Sequence, residues 1–82
     1  MDIEKWKQKA TDAIKTVPVS RVFVLKDLFD GIEWSALPRG EKLSFGRFFK
    51  NEVIDGRIAG VAYIGKANNN SAQYKRIEGS TL

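Results

Sequence analysis

The stretch Ser44 to Ile54, SFGRFFKNEVI, leaves this chain little freedom in what it can fold into. Wound as a helix, it places Phe45, Phe49 and Val53 on one stripe at i, i+4 and i+8, with Gly46 beside them. That stripe needs a layer to cover it, so the rest of the chain is expected to pack around this helix. The opposite side carries Ser44, Arg47 and Asn51 with Lys50 at its flank. Two cations, an amide and a hydroxyl with no carboxylate among them suit a polyanion. Two residues fit badly, because Glu52 falls near the apolar stripe and Ile54 points outward. Gly56 is the expected helix stop. Gly46 is expected to pack closely against a helix around Leu28.

A chain of 82 residues buries only about 60% of its unfolded surface, so a single domain is expected over 1–78, with 79–82 as a frayed tail. There is no cysteine and no histidine, which removes disulfides, thiol nucleophiles, imidazole bases and most zinc and haem sites. Asp27, Asp30, Glu33 and Glu41 lack the ligand spacing of a calcium loop. No metal, cofactor or enzymatic chemistry is therefore expected. No apolar run approaches the ~20 residues of a membrane span, and the opening MDIEKWKQKA has no apolar signal core. The expectation is a soluble, cytoplasmic protein without a membrane partner.

Net charge is +4, but it is unevenly placed. Residues 1–38 balance to zero, with six cations and six acids, whereas residues 39–76 hold eight cations against three acids, a balance of +5. The basic half contains the central helix. Clustered positive charge favours an anionic partner; a merely solvated basic surface is the plain alternative.

Asp2 is placed to cap a first helix in which Ile3, Trp6, Ala10, Ala13, Ile14 and Val17 recur at helical spacing until Pro18 ends it. The other face, Glu4, Lys5, Gln8, Lys9, Asp12 and Lys15, reads as solvated. Val22-Phe23-Val24 predicts a short strand, and Leu25, Leu28 and Phe29 predict a short helix with Asp27 in its first turn and Gly31 as its stop. Residues 31–43 predict a connection with at most one turn near 35–37. Beyond Gly56 the period changes to alternation, with Ala59, Val61 and Tyr63 on one face and Ile58, Ala62 and Ile64 on the other. Turn residues from Gly65 to Ala72 and a second strand at 73–77 complete a β-hairpin. The phenylalanines and Trp34 are expected in the core. Tyr74 is the tyrosine favoured for surface contact, and Trp6 is the apolar surface left for at most a weak homodimer.

The order helix, strand, helix, helix, hairpin resembles the winged helix-turn-helix superfamily across residues 3–77. The string FVLKDLF, then Trp34, then LSFGRFF followed by Val53, is similar to a small domain family of unknown function found in bacteria and their mobile elements. The superfamily resemblance implies an α+β fold of order α-β-α-α-β-β with a three-stranded antiparallel wing sheet. It also implies a recognition helix at 44–54 and a wing at 66–72. The connection at 31–43 departs from it, being about a dozen residues where the compact motif has a turn of three or four.

Phosphates are met by Lys, Arg, hydroxyls and amides, and base edges by Arg for guanine and Asn for adenine. The expected contact set is Ser44, Arg47, Lys50 and Asn51 on the helix, Lys66, Asn68, Asn69, Asn70 and Lys75 on the wing, and Arg39 and Lys42 just ahead of the helix. The resulting expectation is a double-stranded DNA-binding module, a small regulator from a phage or mobile element, acting as a monomer or weak homodimer. The alternative is a protein-interaction module on the same scaffold that docks an acidic partner.

Overall fold

The structure, a computed structural model, describes residues 2–68 and 71–78; the tail expected at 79–82 lies outside the described residues. The elements run α1 (Ile3–Ile14), β1 (Val22–Val24), a 3₁₀ turn (Leu25–Leu28), α2 (Gly31–Ser35), α3 (Arg39–Ile54), β2 (Val61–Lys66) and β3 (Ala72–Arg76). Three helices accompany one antiparallel sheet of order β1-β3-β2. This is the α+β composition and strand count that the sequence predicts. Among the described residues no helix is long and apolar enough to cross a membrane.

The Asp2 carboxylate caps α1 by accepting from the Lys5 N–H at 3.2 Å. The helix stops at Ile14, short of the expected Val17, and Thr16 and Val17 close onto Ala13 and Ile14 with tighter i→i−3 bonds. Arg76 explains the early stop, since its Nε donates to the Ile14 carbonyl at 3.1 Å. Its Nη1 donates to the Gly60 carbonyl at 3.1 Å and to the Ile77 carbonyl at 2.6 Å, so one guanidinium ties α1 to the end of β3 and to the turn before β2. Gly60 is obligatory there, because its φ is +81° and a Cβ would stand 2.5 Å from Arg76 Nη1.

The segment 31–43 is where the structure departs most from the expectation. Gly31 does not stop a helix; it begins α2, because the Asp30 carboxylate accepts from the N–H groups of Ile32 (2.8 Å) and Glu33 (3.3 Å). The preceding helix is a 3₁₀ turn held by Asp27, which accepts from the Val24 N–H at 3.1 Å. Only Ala36, Leu37 and Pro38 separate α2 from α3, so the connecting turn has the three-residue length of the compact helix-turn-helix. Pro38 occupies the N-cap position, where no N–H is needed, and α3 starts at Arg39 rather than Ser44. It ends as expected: Gly56, at φ +79°, donates to Val53 and Arg57 donates to Glu52, closing a Schellman pair.

Phe45, Phe49 and Tyr74 are fully buried, with Val53, Leu28, Phe23, Ile14 and Ala10 around them. Ile58 is buried as well, but from the turn before β2, where strand alternation does not apply. Trp6 is no spare surface. Its ring lies 4.8 Å from Phe29 and meets Trp34 and Phe45 edge-on at 6.4 Å, so the core aromatics occupy the patch expected to mediate self-association. Tyr74, favoured for surface contact, is instead 0% exposed at the centre of the middle strand.

Glu52, the misfit in the helical stripe, is only 9% exposed. It accepts from Lys7 Nζ of α1 at 2.7 Å and from Arg57 Nη1 at 3.0 Å, so both carboxylate oxygens are satisfied and α1 is tied to α3. Ile54 is exposed, as its helical phase requires.

Stability tests this packing in two ways. Phe49→Ala should remove about 3–5 kcal/mol of a total of about 5–15 kcal/mol for a domain, so cooperative chemical denaturation should largely collapse. An unchanged midpoint would mean that Phe49 lies outside the core. The second test concerns acid: the Lys7 hydrogen bond, opposed by burial and aided by Arg57, holds the Glu52 carboxyl below its ordinary value of 4.5. A depressed folded value stabilises the fold above the unfolded value, and that stability is lost as pH falls through the folded value. Thermal midpoints measured from pH 6 downward should therefore fall below about pH 4.5, and in Glu52→Gln they should start lower and fall less over the same window. Parallel profiles for the two proteins would remove Glu52 from the acid response.

Candidate nucleic-acid interface

The buried stripe of α3 fixes where its remaining side chains go. At 3.6 residues per turn, Gly46 and Lys50 share one edge of the helix, and Arg39 and Lys42 extend the same edge toward its N-terminus. This edge faces the β2–β3 hairpin. Between them lies a cleft of about 400 Å³ whose wall includes Lys42, Gly46, Arg47 and Lys50 of α3, Lys66 and Ala72 of the hairpin, and Lys26 of the 3₁₀ turn. Trp34, Leu43 and Tyr74 add apolar surface to it, and among the described residues no carboxylate lines it.

Lys66 reaches this cleft because of an irregularity in the hairpin. Tyr63 pairs with Tyr74, but the next pairs are Gly65 with Gln73 and Lys66 with Ala72, so Ile64 is an inserted residue. Plain alternation from Tyr63 would turn Lys66 to the far side of the sheet; one extra residue turns it back to the side of Ala72 and Tyr74. Gly65, at φ +118°, takes the conformation the bulge requires.

The expected contact residues divide accordingly. Lys42, Arg47, Lys50 and Lys66 converge on the cleft, and Arg39 lies on the same helical edge about two turns before Gly46. Arg39 and Lys42 belong to α3 itself and not to a loop ahead of it. Ser44 and Asn51 are exposed but lie about 100–120° further round the helix from Lys50, facing solvent outside the cleft. Asn68 is exposed in the hairpin turn; Asn69 and Asn70 lie outside the described residues. Lys75 is misplaced by the expectation. It pairs with Val22 and Ala62 and neighbours Tyr74, whose ring faces α3, so Lys75 is on the opposite face of the sheet.

Among the described residues Lys26, Lys42, Arg47, Lys50 and Lys66 form no ion pair. Lys50 Nζ stands 4.7 Å above the Tyr63 ring, a contact that holds an ammonium without neutralising it. Other cations are engaged inside the fold: Lys7 and Arg57 with Glu52, Lys9 with Glu33 at 2.9 Å, and Arg76 with three carbonyls. Lys26 is the cation that sequence reasoning missed. It sits 16 positions before Lys42 in a balanced half of the chain, and only tertiary packing brings the two together.

Gly46 is not a packing glycine. A Cβ built there meets nothing within 4 Å outside the helix's own backbone, and the residue lines the cleft. Glycine in a helix interior is about 0.8–1 kcal/mol less favourable than alanine, so Gly46→Ala should raise stability by roughly that amount, read as a higher denaturation midpoint. A fall would mean that a close neighbour occupies the space.

Residues 8–76 match the family model described as a domain of unknown function, DUF1413. The fold is similar to a solved structure described as "SCCmec type IV LP1413 - nucleic acids binding protein", with a TM-score of 0.71, 17% identity, and coverage of 98% of this chain and 92% of that one. At that identity the likeness is one of fold. No curated protein matches this chain in sequence.

Proposed function

This chain belongs to the DUF1413 family of domains of unknown function, and we propose that it is a nucleic-acid-binding module whose contact surface is the cleft-side edge and adjoining outer face of α3 together with the β2–β3 hairpin. One observation carries the reading: five cations from three separate segments surround a single cleft, and among the described residues no carboxylate is in its wall and none of the five forms an ion pair. Such a surface releases counterions on meeting a phosphate backbone. The description of the similar fold as a nucleic-acid-binding protein points the same way.

On this proposal α2, the three-residue turn and α3 act as a helix-turn-helix and the hairpin as its wing. Double-stranded DNA is the first partner. Arg47 and Asn51 of α3 would read base edges in the major groove, Ser44 would meet a phosphate, and Lys66 and Asn68 would meet the neighbouring backbone. The protein is then a binder and not an enzyme, a small cytoplasmic regulator of the phage or mobile-element kind. A second reading, a single strand laid along the cleft, is favoured by the apolar surface of Trp34 and Leu43 among the cations, since a charged groove with an aromatic platform suits unpaired bases.

Anisotropy titrations against a duplex and a single strand of the same sequence, repeated over a range of salt, separate these. Log K against log salt should fall steeply, and Lys42→Ala and Lys66→Ala should each flatten the slope by about 1 if each neutralises one phosphate. Arg47→Ala and Asn51→Ala should cost about 1–3 kcal/mol on a preferred duplex and little on other sequences. Lys75→Ala, on the far sheet face, should change nothing. A single strand bound more tightly than the duplex, with Asn51→Ala silent, would select the second reading. Silence with both nucleic acids would leave the docking of an acidic protein as the better account.

A further inference from the structure

Phosphate binding leaves two features of the cleft without a purpose. The first is Gly46, a helix-weakening residue that no contact among the described residues requires, placed where it leaves α3's backbone bare toward the cleft. The second is Tyr74. Its hydroxyl is buried without a hydrogen-bond partner among the described residues, and the residue forms part of the same wall. Buried polar groups in folded proteins are almost always hydrogen-bonded. Burial, with the neighbouring Tyr63 phenol, pushes the Tyr74 hydroxyl up to about 12, so it keeps its proton and can donate at any physiological pH.

The occupant must therefore present three things: an anionic group for the rim, a flat apolar body for the apolar surface, and an acceptor on that body's edge. A phosphate ion alone has no use for Trp34, Leu43 or a deep phenol. The cleft, at about 400 Å³, lies toward the small end of the about 300–1,000 Å³ typical of small-ligand sites.

We infer that the cleft is a pocket for one nucleotide unit, whose base slides against the α3 backbone at Gly46 and accepts a hydrogen bond from Tyr74 while its phosphate lies among Lys42, Arg47 and Lys66. This rests on the nucleic-acid reading of the same face and narrows it to a base-sized slot. The chemistry is shared by a free mononucleotide and by an unpaired nucleotide within a strand. Gly46 contributes no side chain to the cleft wall, so a leucine there would occupy the path of the base.

The test uses the whole chain with three probes: labelled oligothymidine, thymidine 5′-monophosphate and inorganic phosphate at matched ionic strength. Gly46→Leu should lower oligothymidine affinity about tenfold or more, the scale of one lost base-stacking contact. Tyr74→Phe should lower it by about tenfold, the scale of a lost hydrogen bond to a buried group. Neither should lower the thermal midpoint, because Gly46 has open space and the Tyr74 hydroxyl has no internal partner. In the wild type, the monophosphate should shift the amides of Gly46 and Ala72 where inorganic phosphate does not, and Gly46→Leu should abolish those shifts. Full oligothymidine affinity in either variant overturns the pocket, as do equal shifts from both small anions. If Lys66→Ala still weakens binding in that case, the interface stands without the pocket. Amide shifts from the monophosphate with no binding of any strand would instead keep the pocket and remove the interface.

Discussion

The ring of Tyr74 is the junction on which the arrangement depends. It sits at the middle of the middle strand and meets Phe23 of β1 (6.0 Å), Tyr63 of β2 (5.7 Å) and Phe49 of α3 (5.1 Å, edge to face). Each of the three strands thus contributes one aromatic ring to a cluster that meets α3 at Phe49. From Phe49 the chain of rings continues through Phe45 and Phe29 to Trp6 and Trp34, which brings in α1 and α2. A chain this short buries a modest share of its surface, and aromatic rings supply the most buried area per residue. The same junction has a geometric consequence. Anchoring α3 to the sheet through Phe49 leaves the edge carrying Gly46 and Lys50 apart from the hairpin, and that separation is the cleft.

Electrostatics sorts the cations into two populations. Lys7, Lys9, Arg57 and Arg76 have acceptors within the fold, and each bridges segments far apart in sequence or closes a helix end. Such contacts at the surface add little stability singly; Glu52, almost fully enclosed, is the exception, since an unpaired carboxylate there would be costly. The second population, around the cleft, forms no ion pair among the described residues, and no carboxylate among those residues lines the cleft with it. Its repulsion destabilises the compact chain slightly and is relieved by any bound polyanion. The formal charge of +4 therefore understates the charge lining the cleft, where five cations stand without a carboxylate among the described lining residues.

What was legible in the sequence was whatever local spacing controls. The stripe Phe45, Phe49 and Val53, the Asp2 cap, the Gly56 stop and the existence of the hairpin all depend on residues within a turn or two of each other. The α2 helix was not legible by that means. It is a single turn with an exposed isoleucine and no buried residue, so it has no apolar period, and its one signal is Asp30 two positions before Ile32. Tyr74 was misjudged because a tyrosine in a strand carries no mark of whether its face is covered; the rings of Phe49 and Phe23, distant in sequence, decide it. Lys75 was misjudged for the same reason, being one step out of phase with Tyr74. The cations expected on α3 are on its surface, but the expected set was centred on the helix's outermost side, whereas the cleft lies toward the edge next to the core.

The placement of Lys66 shows how a backbone detail governs the surface. A strand assigns faces by parity, and Lys66 is an odd number of residues from Tyr63, so a regular β2 would present it beside Lys75 on the far side of the sheet. The inserted Ile64 reverses parity for the remainder of the strand, and it does so within a two-residue interval in which Gly65 alone has the freedom to take φ +118°. Ile64 itself is exposed, so no packing gain within the fold accounts for the bulge. Its visible effect is to bring one cation across the sheet to face Arg47 and Lys50, closing the cationic rim from the hairpin side. The cleft is thus framed by two backbone features, a glycine that keeps α3 bare and a bulge that turns the hairpin's lysine inward, and neither is needed by the aromatic core that holds helix and sheet together.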